Sequence, residues 1–326
     1  MKITIKEIAK EAGVSIASVS HVINGTKQLS EETTSKINKV ISKYNFIPNK
    51  NASNLSTTST KLIGVLISSV QDHYVTSIIM SMSHIIREHG YQMLFVNTNE
   101  DVQYETDALN LFVAQRVEGI LVSPVTNDSL RVHKELLNDI PVVQLIRTDI
   151  EFSSPKVTAD DFNVGYIAAK HLLKSNIKKI GLIYSRYTIN PTLERIHGFE
   201  TACIESDFEN IKLYEQGFGT VDGGYKAINH LLKKNPDIDG VFALNDFMAI
   251  GCLNYIKEHG LNIQVITFND FAAANLIDPP ISCISIEQKQ IGIRAAEILF
   301  EQLHMRNPHI HERVPVKLKN RNDLTK

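Results

Sequence analysis

The sequence predicts an α/β protein in two parts: a small all-α head carrying a helix-turn-helix, and a long body of two doubly wound halves. Three observations predict it. Apolar residues at helical spacing flank a single glycine within Thr4–Asn24. From Leu62 onward, short apolar runs alternate with helical patterns. The charge divides in the same place: residues 1–60 hold eight Lys and four Glu, a net of +4, whereas the remainder holds 26 basic and 32 acidic residues, a net of −6.

The head is read first. Thr4 and Glu7 stand in capping-box spacing, so a helix can begin there with its free amides satisfied. Ile5, Ile8, Ala9 and Ala12 repeat at i, i+3, i+4 and i+7 and give that helix one buried stripe. Gly13 allows a turn that a residue with a Cβ resists. Ser15 can cap a second helix whose inner face is Val19, Val22 and Ile23. Two helices joined by a tight glycine turn form a helix-turn-helix, and its second helix fits the DNA major groove. The segment SEET at Ser30 starts a third helix, with Ile37, Val40, Ile41 and Tyr44 at helical spacing to close a small core. A basic head suits phosphate contacts, because released counterions supply much of DNA affinity.

Residues Pro48–Lys61, PNKNASNLSTTSTK, are rich in Asn, Ser and Thr and read as a linker that folds conditionally. Ala52 and Leu55 are spaced for one or two helical turns, and an exposed Leu beside a DNA-binding head can wedge into the minor groove.

In the body, apolar runs at Leu62–Ile67, Met93–Val96, Gly119–Val122, Val142–Ile146, Ile180–Tyr184, Gly240–Leu244 and Val265–Phe268 read as buried strands. Helical patterns such as Ile78–His89 and Phe247–His259 separate them, each ending at a glycine. Continuous apolar strands alternating with helices imply parallel sheets covered on both faces. Seven or more such units suit two doubly wound halves better than one very wide sheet.

At 326 residues the chain exceeds one ordinary domain, and 43% hydrophobic with 21% charged residues is a globular composition. No apolar run approaches the roughly 20 residues needed to cross a bilayer. The opening MKITIKEIAK leads straight into an amphipathic helix without a signal-peptide core, so a cytoplasmic location is expected. Cys203, Cys252 and Cys283 are odd in number and widely spaced, and read as reduced core residues. Enzyme signatures are weak. Gly217, Gly219 and Gly223 miss dinucleotide-binding spacing by one, and no phosphate-binding GK[ST] is present. Asp160–Asp161 reads as a strand-end hydrogen-bonding pair and His309 with His311 as exposed residues, so neither a metal, a cofactor nor catalysis is expected.

In doubly wound sheets, ligands bind beyond the carboxyl ends of the strands. The residues following the predicted strands are Ser68, Ser69, Asn97, Ser123, Arg147, Ser185, Asn245 and Asn269. Hydrogen-bonding groups with one cation suit a hydroxyl-rich or carboxylated small molecule.

These residues resemble the LacI/GalR family of bacterial transcriptional repressors. IKEIAKEAGVSIASVSHVING is similar to the family's helix-turn-helix, SEET with YNFIPN to its third helix, and ASNL to its hinge helix. The body is similar to periplasmic sugar-binding proteins at IGVLI, REHGYQMLFVNT, RVEGILVSP, IPVVQLIR, RIHGF, FALNDFMAIG and ITFND. The implied fold is α/β, an N-terminal all-α helix-turn-helix head plus a two-subdomain, doubly wound, periplasmic-binding-protein-like core. The implied boundaries are 1–48 for the head, 49–61 for the hinge and 62–326 for the effector-binding and dimerisation core. Within the core, one subdomain spans 62–160 plus about 290–326 and the other about 161–289.

The resemblance implies a homodimer that reads a near-palindromic operator. Ile16, Ala17 and His21 would face base edges, with Thr4, Ser15, Ser18, Ser20 and Asn24 on or near the backbone. Leu55, with Ala52 in the same hinge helix, would enter the minor groove. A sugar-like effector would meet Tyr74, Arg195, Asn245, Asp246 and Asn269, beside Asn97, Ser123 and Arg147 at the strand ends. The chain departs from the family pattern at several of these places. His21 stands where an Arg is usual, Ser53 replaces a hinge Arg, and His73 replaces a Pro before Tyr74. Ile146 and Asn269 replace frequent acidic residues. With Arg147 and Arg195 kept, the pocket is expected to be less negative and its effector a sugar acid or sugar phosphate. The runner-up is a member of the same family controlled by a phosphorylated carrier protein, for which no surface in the sequence stands out.

Overall fold

A computed structural model describes residues 3–24, 27–44, 46, 59–70, 73–175, 177–186, 189–208, 213–271, 274, 280–304 and 310–321. The chain divides into two units, Met1–Thr60 and Lys61–Lys326.

In the first unit, α1 (Ile5–Ala12), α2 (Ile16–Asn24) and α3 (Glu31–Lys43) form a bundle. The capping box at Thr4 is complete: its Oγ1 accepts from the Glu7 amide, and the Glu7 carboxylate accepts from the Thr4 amide. Gly13 ends α1 at φ 67°, a left-handed conformation that costs a glycine little. Ile8, Ala9, Val19, Ile37 and Val40 are buried together, with Val22, Ile23, Ile41 and Phe46 packed around them. Fully burying one such aliphatic side chain contributes about 1.5–3 kcal/mol, so these few residues carry most of the head's cohesion. Tyr44, placed on the core face by its spacing, instead caps α3 and is exposed. The helix has ended there, and Phe46 packs in its stead.

Among the described residues, the second unit holds two six-stranded sheets. The first lobe comprises β1 (Leu62–Ile67), α4 (His73–Glu88), β2 (Gln92–Asn97), α5 (Val102–Ala114), β3 (Gly119–Ser123), β4 (Val142–Leu145) and β5 (Lys156–Ala159). The second follows with α6 (Asp161–Lys174), β6 (Ile180–Tyr184), α7 (Asn190–Ile204), β7 (Tyr214–Gln216), α8 (Val221–Lys234), β8 (Gly240–Ala243), α9 (Asp246–Glu258), β9 (Gln264–Phe268) and β10 (Ser282–Ile286). The chain then returns through α10 (Gln288–Leu303) and β11 (His311–Val314) to the first lobe, and through β12 (Val316–Lys319) to the second. The sheet orders are β11-β5-β4-β3-β1-β2 and β12-β10-β9-β8-β6-β7. Among the described residues, all pairings are parallel except β10 with β12.

β1 and β6 coincide with the predicted runs. β4 stops a residue early because Ile146 turns out of the strand at φ 64°. Five strands, β5, β7, β10, β11 and β12, fall outside the predicted runs. They are short, and Ser, Thr, Lys or Glu interrupt their apolar residues. One correction concerns the subdomains. Residues 316–319 were expected with the first lobe, yet β12 lies antiparallel to β10 in the second. Arg321 fastens that end: its side chain is buried, pairs with Asp270 at 2.5 Å and donates to the Ile281 carbonyl.

Two glycines bring α6 and α7 into backbone contact. A Cβ on Gly165 would lie 1.8 Å from the Arg195 carbonyl, and one on Gly198 would lie 1.9 Å from the Phe162 carbonyl. All three cysteines are buried as free thiols.

Candidate functional site

The head presents the first turn of α2. Ser15 Oγ accepts from the Ser18 amide at 3.0 Å and lies 2.9 Å from Ser18 Oγ, so these two hydroxyls cap the helix together. Ile16, 47% exposed, and the exposed Ala17 stand beside them. Val19 points inward, and Ser20 and His21 are half-buried, each with a contact inside the chain. Thr4 serves the α1 cap. Asn24 ends α2, and its side chain lies outside the described residues, as do Ala52, Ser53 and Leu55.

A cleft of about 350 Å³ opens between the carboxyl ends of the two sheets in the second unit. Tyr74, Ser123, Arg147, Arg195, Asn245, Asp246 and Asn269 all line it, together with Ser68, Ser69 and Ser185. Asn97 does not. Its Nδ2 donates to Asn99 at 2.6 Å, and its Oδ1 is buried without a partner. The reason is local: Asn99 and Glu100 are both left-handed, at φ 51° and 66°, and carry the chain past Asn97 so that Glu100 enters the cleft. Backbone strain collects here. Of the eight non-glycine residues with positive φ among the described residues, five (Asn99, Glu100, Ile146, Phe218 and Asn269) line this cleft. Such conformations cost free energy and cluster at functional sites. A groove of about 590 Å³ beside β5 and β11 is larger, but Lys156, Asn190 and Arg313 in it already meet protein acceptors or a carboxylate.

The arginines are paired. Arg147 grips Glu100 with both terminal nitrogens at 2.7 Å, and Arg186 reaches the same carboxylate at 2.5 Å. Arg195 donates to Asp161 at 2.7–2.8 Å and to the Leu244 carbonyl at 2.8 Å, and its guanidinium lies 3.9 Å over the Phe268 ring. Tyr74 meets that ring edge-on. Burial pushes the Glu100 carboxyl up, but Arg147 and Arg186 outweigh it and hold it below its usual range. Burial also pushes the Asp161 carboxyl up, with Arg195 pulling against it.

This revises the expected charge. The acidic positions now held by Ile146 and Asn269 are indeed empty of carboxylates, yet Glu100 and Asp161 bring carboxylates to both arginines from elsewhere in the chain. Asn245 spends its amide on the α9 cap, accepting from the Met248 amide at 2.9 Å and donating to the Gly219 carbonyl. Asn269 accepts from Gln288 at 2.5 Å and is 3.5 Å from Asp246. By contrast, Ser123 Oγ is buried in the lining with no partner. Glu100 and Arg186 escaped the sequence reading. Glu100 lies three residues beyond its strand, where only the left-handed turn brings it back; Arg186 immediately follows Ser185, so reading two residues past each strand would have found it.

Asp160 caps α6, and Asp161 pairs with Arg195. Among the described residues, no three His, Cys, Asp or Glu side chains gather as a metal site, and no helix is long and apolar enough to cross a membrane.

Two family descriptions match the chain: bacterial regulatory proteins of the lacI family over residues 4–49, and periplasmic binding proteins and sugar binding domain of the LacI family over residues 60–322. The HTH-type transcriptional repressor PurR of Histophilus somni (strain 129Pt) is 30% identical over 307 residues, 92% of each chain. That of Haemophilus influenzae (strain PittEE) is 31% identical over 309 residues, covering 92% of this chain and 91% of the relative. Among solved structures, the Lac repressor dimer bound to operator and the anti-inducer ONPF superposes with a TM-score of 0.89 at 21% identity, covering 98% of both chains.

Proposed function

The chain belongs to the LacI family of bacterial regulatory proteins, and from that membership we propose that it is an operator-binding transcriptional repressor. It works as a homodimer whose DNA affinity is set by a small sugar-like effector in the cleft. The observation that carries the DNA half is the exposure of Ile16 and Ala17 at the start of α2, on a head that closes its own core behind them. Laid in the major groove, their methyl groups suit thymine methyls, and His21 offers one imidazole donor in place of a bidentate guanidinium. Leu55 is the proposed minor-groove wedge, with Ala52 in the same hinge segment. Both PurR relatives are transcriptional repressors, which supports repression over activation. Met80 on α4 and Phe95 on the edge strand β2 are exposed apolar residues that suit a partner subunit.

The cleft supports the effector half. Its polar lining and its two guanidiniums on one carboxylate suit a hydroxyl-rich ligand carrying an acid or phosphate group, a sugar acid or sugar phosphate. Control requires that the effector bind the DNA-competent and DNA-released states with different affinity.

The test is selection of binding sites by the full chain from random duplex DNA, followed by titration at two stated salt concentrations. A near-palindromic motif, bound far more tightly than random sequence and weakening with salt, is expected. Equal binding to selected and random duplexes would refute the proposal.

A further inference from the structure

We infer that Glu100 is a built-in counter-anion of the cleft, one that ties the two lobes together through Arg147 and Arg186 and that an effector's carboxylate or phosphate replaces. This rests on the reading of the cleft as the effector site.

The geometry runs across the cleft. Glu100 and Arg147 follow β2 and β4 of the first lobe, while Arg186 follows β6 of the second. Arg147 holds both carboxylate oxygens at 2.7 Å, in the forked arrangement that a ligand carboxylate or phosphate also adopts. Arg186 reaches Oε2 of the same group at 2.5 Å from the opposite lobe. One carboxylate thus serves two guanidiniums and leaves one positive charge in excess. The carboxylate reaches this place on consecutive left-handed residues, fixed by the Glu100 amide donating to the Ser68 carbonyl at 2.9 Å. In the same lining, Ser123 Oγ is 1% exposed as a residue and has no partner, a hydroxyl placed for a ligand atom.

An internal group that occupies the anion position lowers the apparent affinity of every external anion, since only the fraction of molecules with Glu100 displaced can bind. It also makes displacement a mechanical event. An anion that takes Arg147 and Arg186 from Glu100 replaces a tie made of the chain with one made of ligand, and the lobes respond to its concentration. A neutral polyol does the reverse: it leaves the ion pairs in place and uses Glu100 as a hydroxyl acceptor.

The experiment is calorimetric titration of the full chain and its Glu100→Gln and Arg186→Gln variants, at constant ionic strength. The probes are inorganic phosphate, glucose 6-phosphate, gluconate and glucose. Glu100→Gln is expected to bind inorganic phosphate at least about tenfold more tightly than the parent, and Arg186→Gln more weakly. Phosphate binding that is no tighter in Glu100→Gln overturns the inference. So does a parent that binds glucose and loses it in Glu100→Gln while ignoring every anion. Operator affinity, measured in parallel with and without each probe, separates this from the functional proposal. Tighter phosphate binding with no change in operator affinity under any probe leaves the counter-anion standing and removes the effector role of the cleft.

Discussion

Replacing Gly165 by Ala strikes a backbone contact between α6 and α7 and, through it, the arginine behind the cleft. The new Cβ would stand 1.8 Å from the Arg195 carbonyl oxygen and 2.8 Å from the Phe199 amide nitrogen. Real Cβ atoms keep at least 3.0 Å from such neighbours, so α6 and α7 must part locally by about 1.2 Å. Both obstructing atoms are backbone, and no side chain can swing aside to relieve them. Gly198 locks the same pair of helices from the other direction, which denies a simple slide. Overpacking of this kind costs about 1–3 kcal/mol, and at about 2–4 °C per kcal/mol for a unit of this size the body should melt about 2–12 °C lower. Asp161 opens α6 and Arg195 sits on α7, so the same displacement stretches their ion pair of 2.7–2.8 Å. Gly90→Ala is the control: it has a left-handed φ of 77° but nothing within 4 Å of the new Cβ. Its cost is conformational only, about 1 kcal/mol. Scanning calorimetry of both variants should rank Gly165→Ala below Gly90→Ala. A Gly165→Ala protein melting within about 1 °C of its parent, or above Gly90→Ala, would refute the close-contact reasoning.

Further outcomes are expected elsewhere. Ile37 is fully buried in the small head core, so Ile37→Ala should cost about 2–5 kcal/mol there and abolish operator binding while the body's calorimetric transition stays in place. Thr4→Ala removes the capping box and should lower the head's stability by about 1 kcal/mol, read from its own unfolding curve. Glu100 has a folded pKa below its ordinary 4.5; its stabilisation is therefore complete above that value and lost as the pH falls through the lower one. The melting difference between the parent and Glu100→Gln should accordingly shrink on acidification below pH 4.5, and a constant difference would contradict the ion pairs. Burial pushes the Cys203 thiol up to about 12, so alkylation at mildly alkaline pH should label it only on unfolding, as mass spectrometry can show.

The head was legible because each of its signals is local. Thr4 with Glu7, Gly13 and Ser15 act within one turn of themselves, and their chemistry decides the helix ends without help from the rest of the chain. The central strands were legible for a different reason: buried on both faces, β1 and β6 must be continuously apolar. Edge strands such as β7 and β11 lack that requirement and merge with loops. β10 is fully buried but spells SCISI, where Ser and Cys break the apolar run. In the cleft, strand-end counting found Ser123, Arg147, Asn245 and Asn269, because the sheet topology dictates their location. It passed over Glu100, whose position depends on two strained dihedrals. It also could not see that Asn245 and Asn269 spend their amides on neighbours, since hydrogen-bond saturation is a property of the assembled site.

The passage of the chain between lobes at Asp160, Glu287 and Pro315, one residue at each crossing, has a consequence for biosynthesis. Neither lobe is a continuous piece of sequence, and the last strands of both sheets, β11 and β12, lie within nine residues of each other at His311–Lys319. Until residues 311–319 have been made, β5 and β10 of a nascent chain therefore each offer a bare edge. Such edges recruit strands from other chains. Both lobes then close nearly together, once residues 311–319 are free to pair. Truncations or bulky fusions near Arg321 should therefore reduce soluble yield by impairing two sheets at once, even though they lie far along the chain from α2.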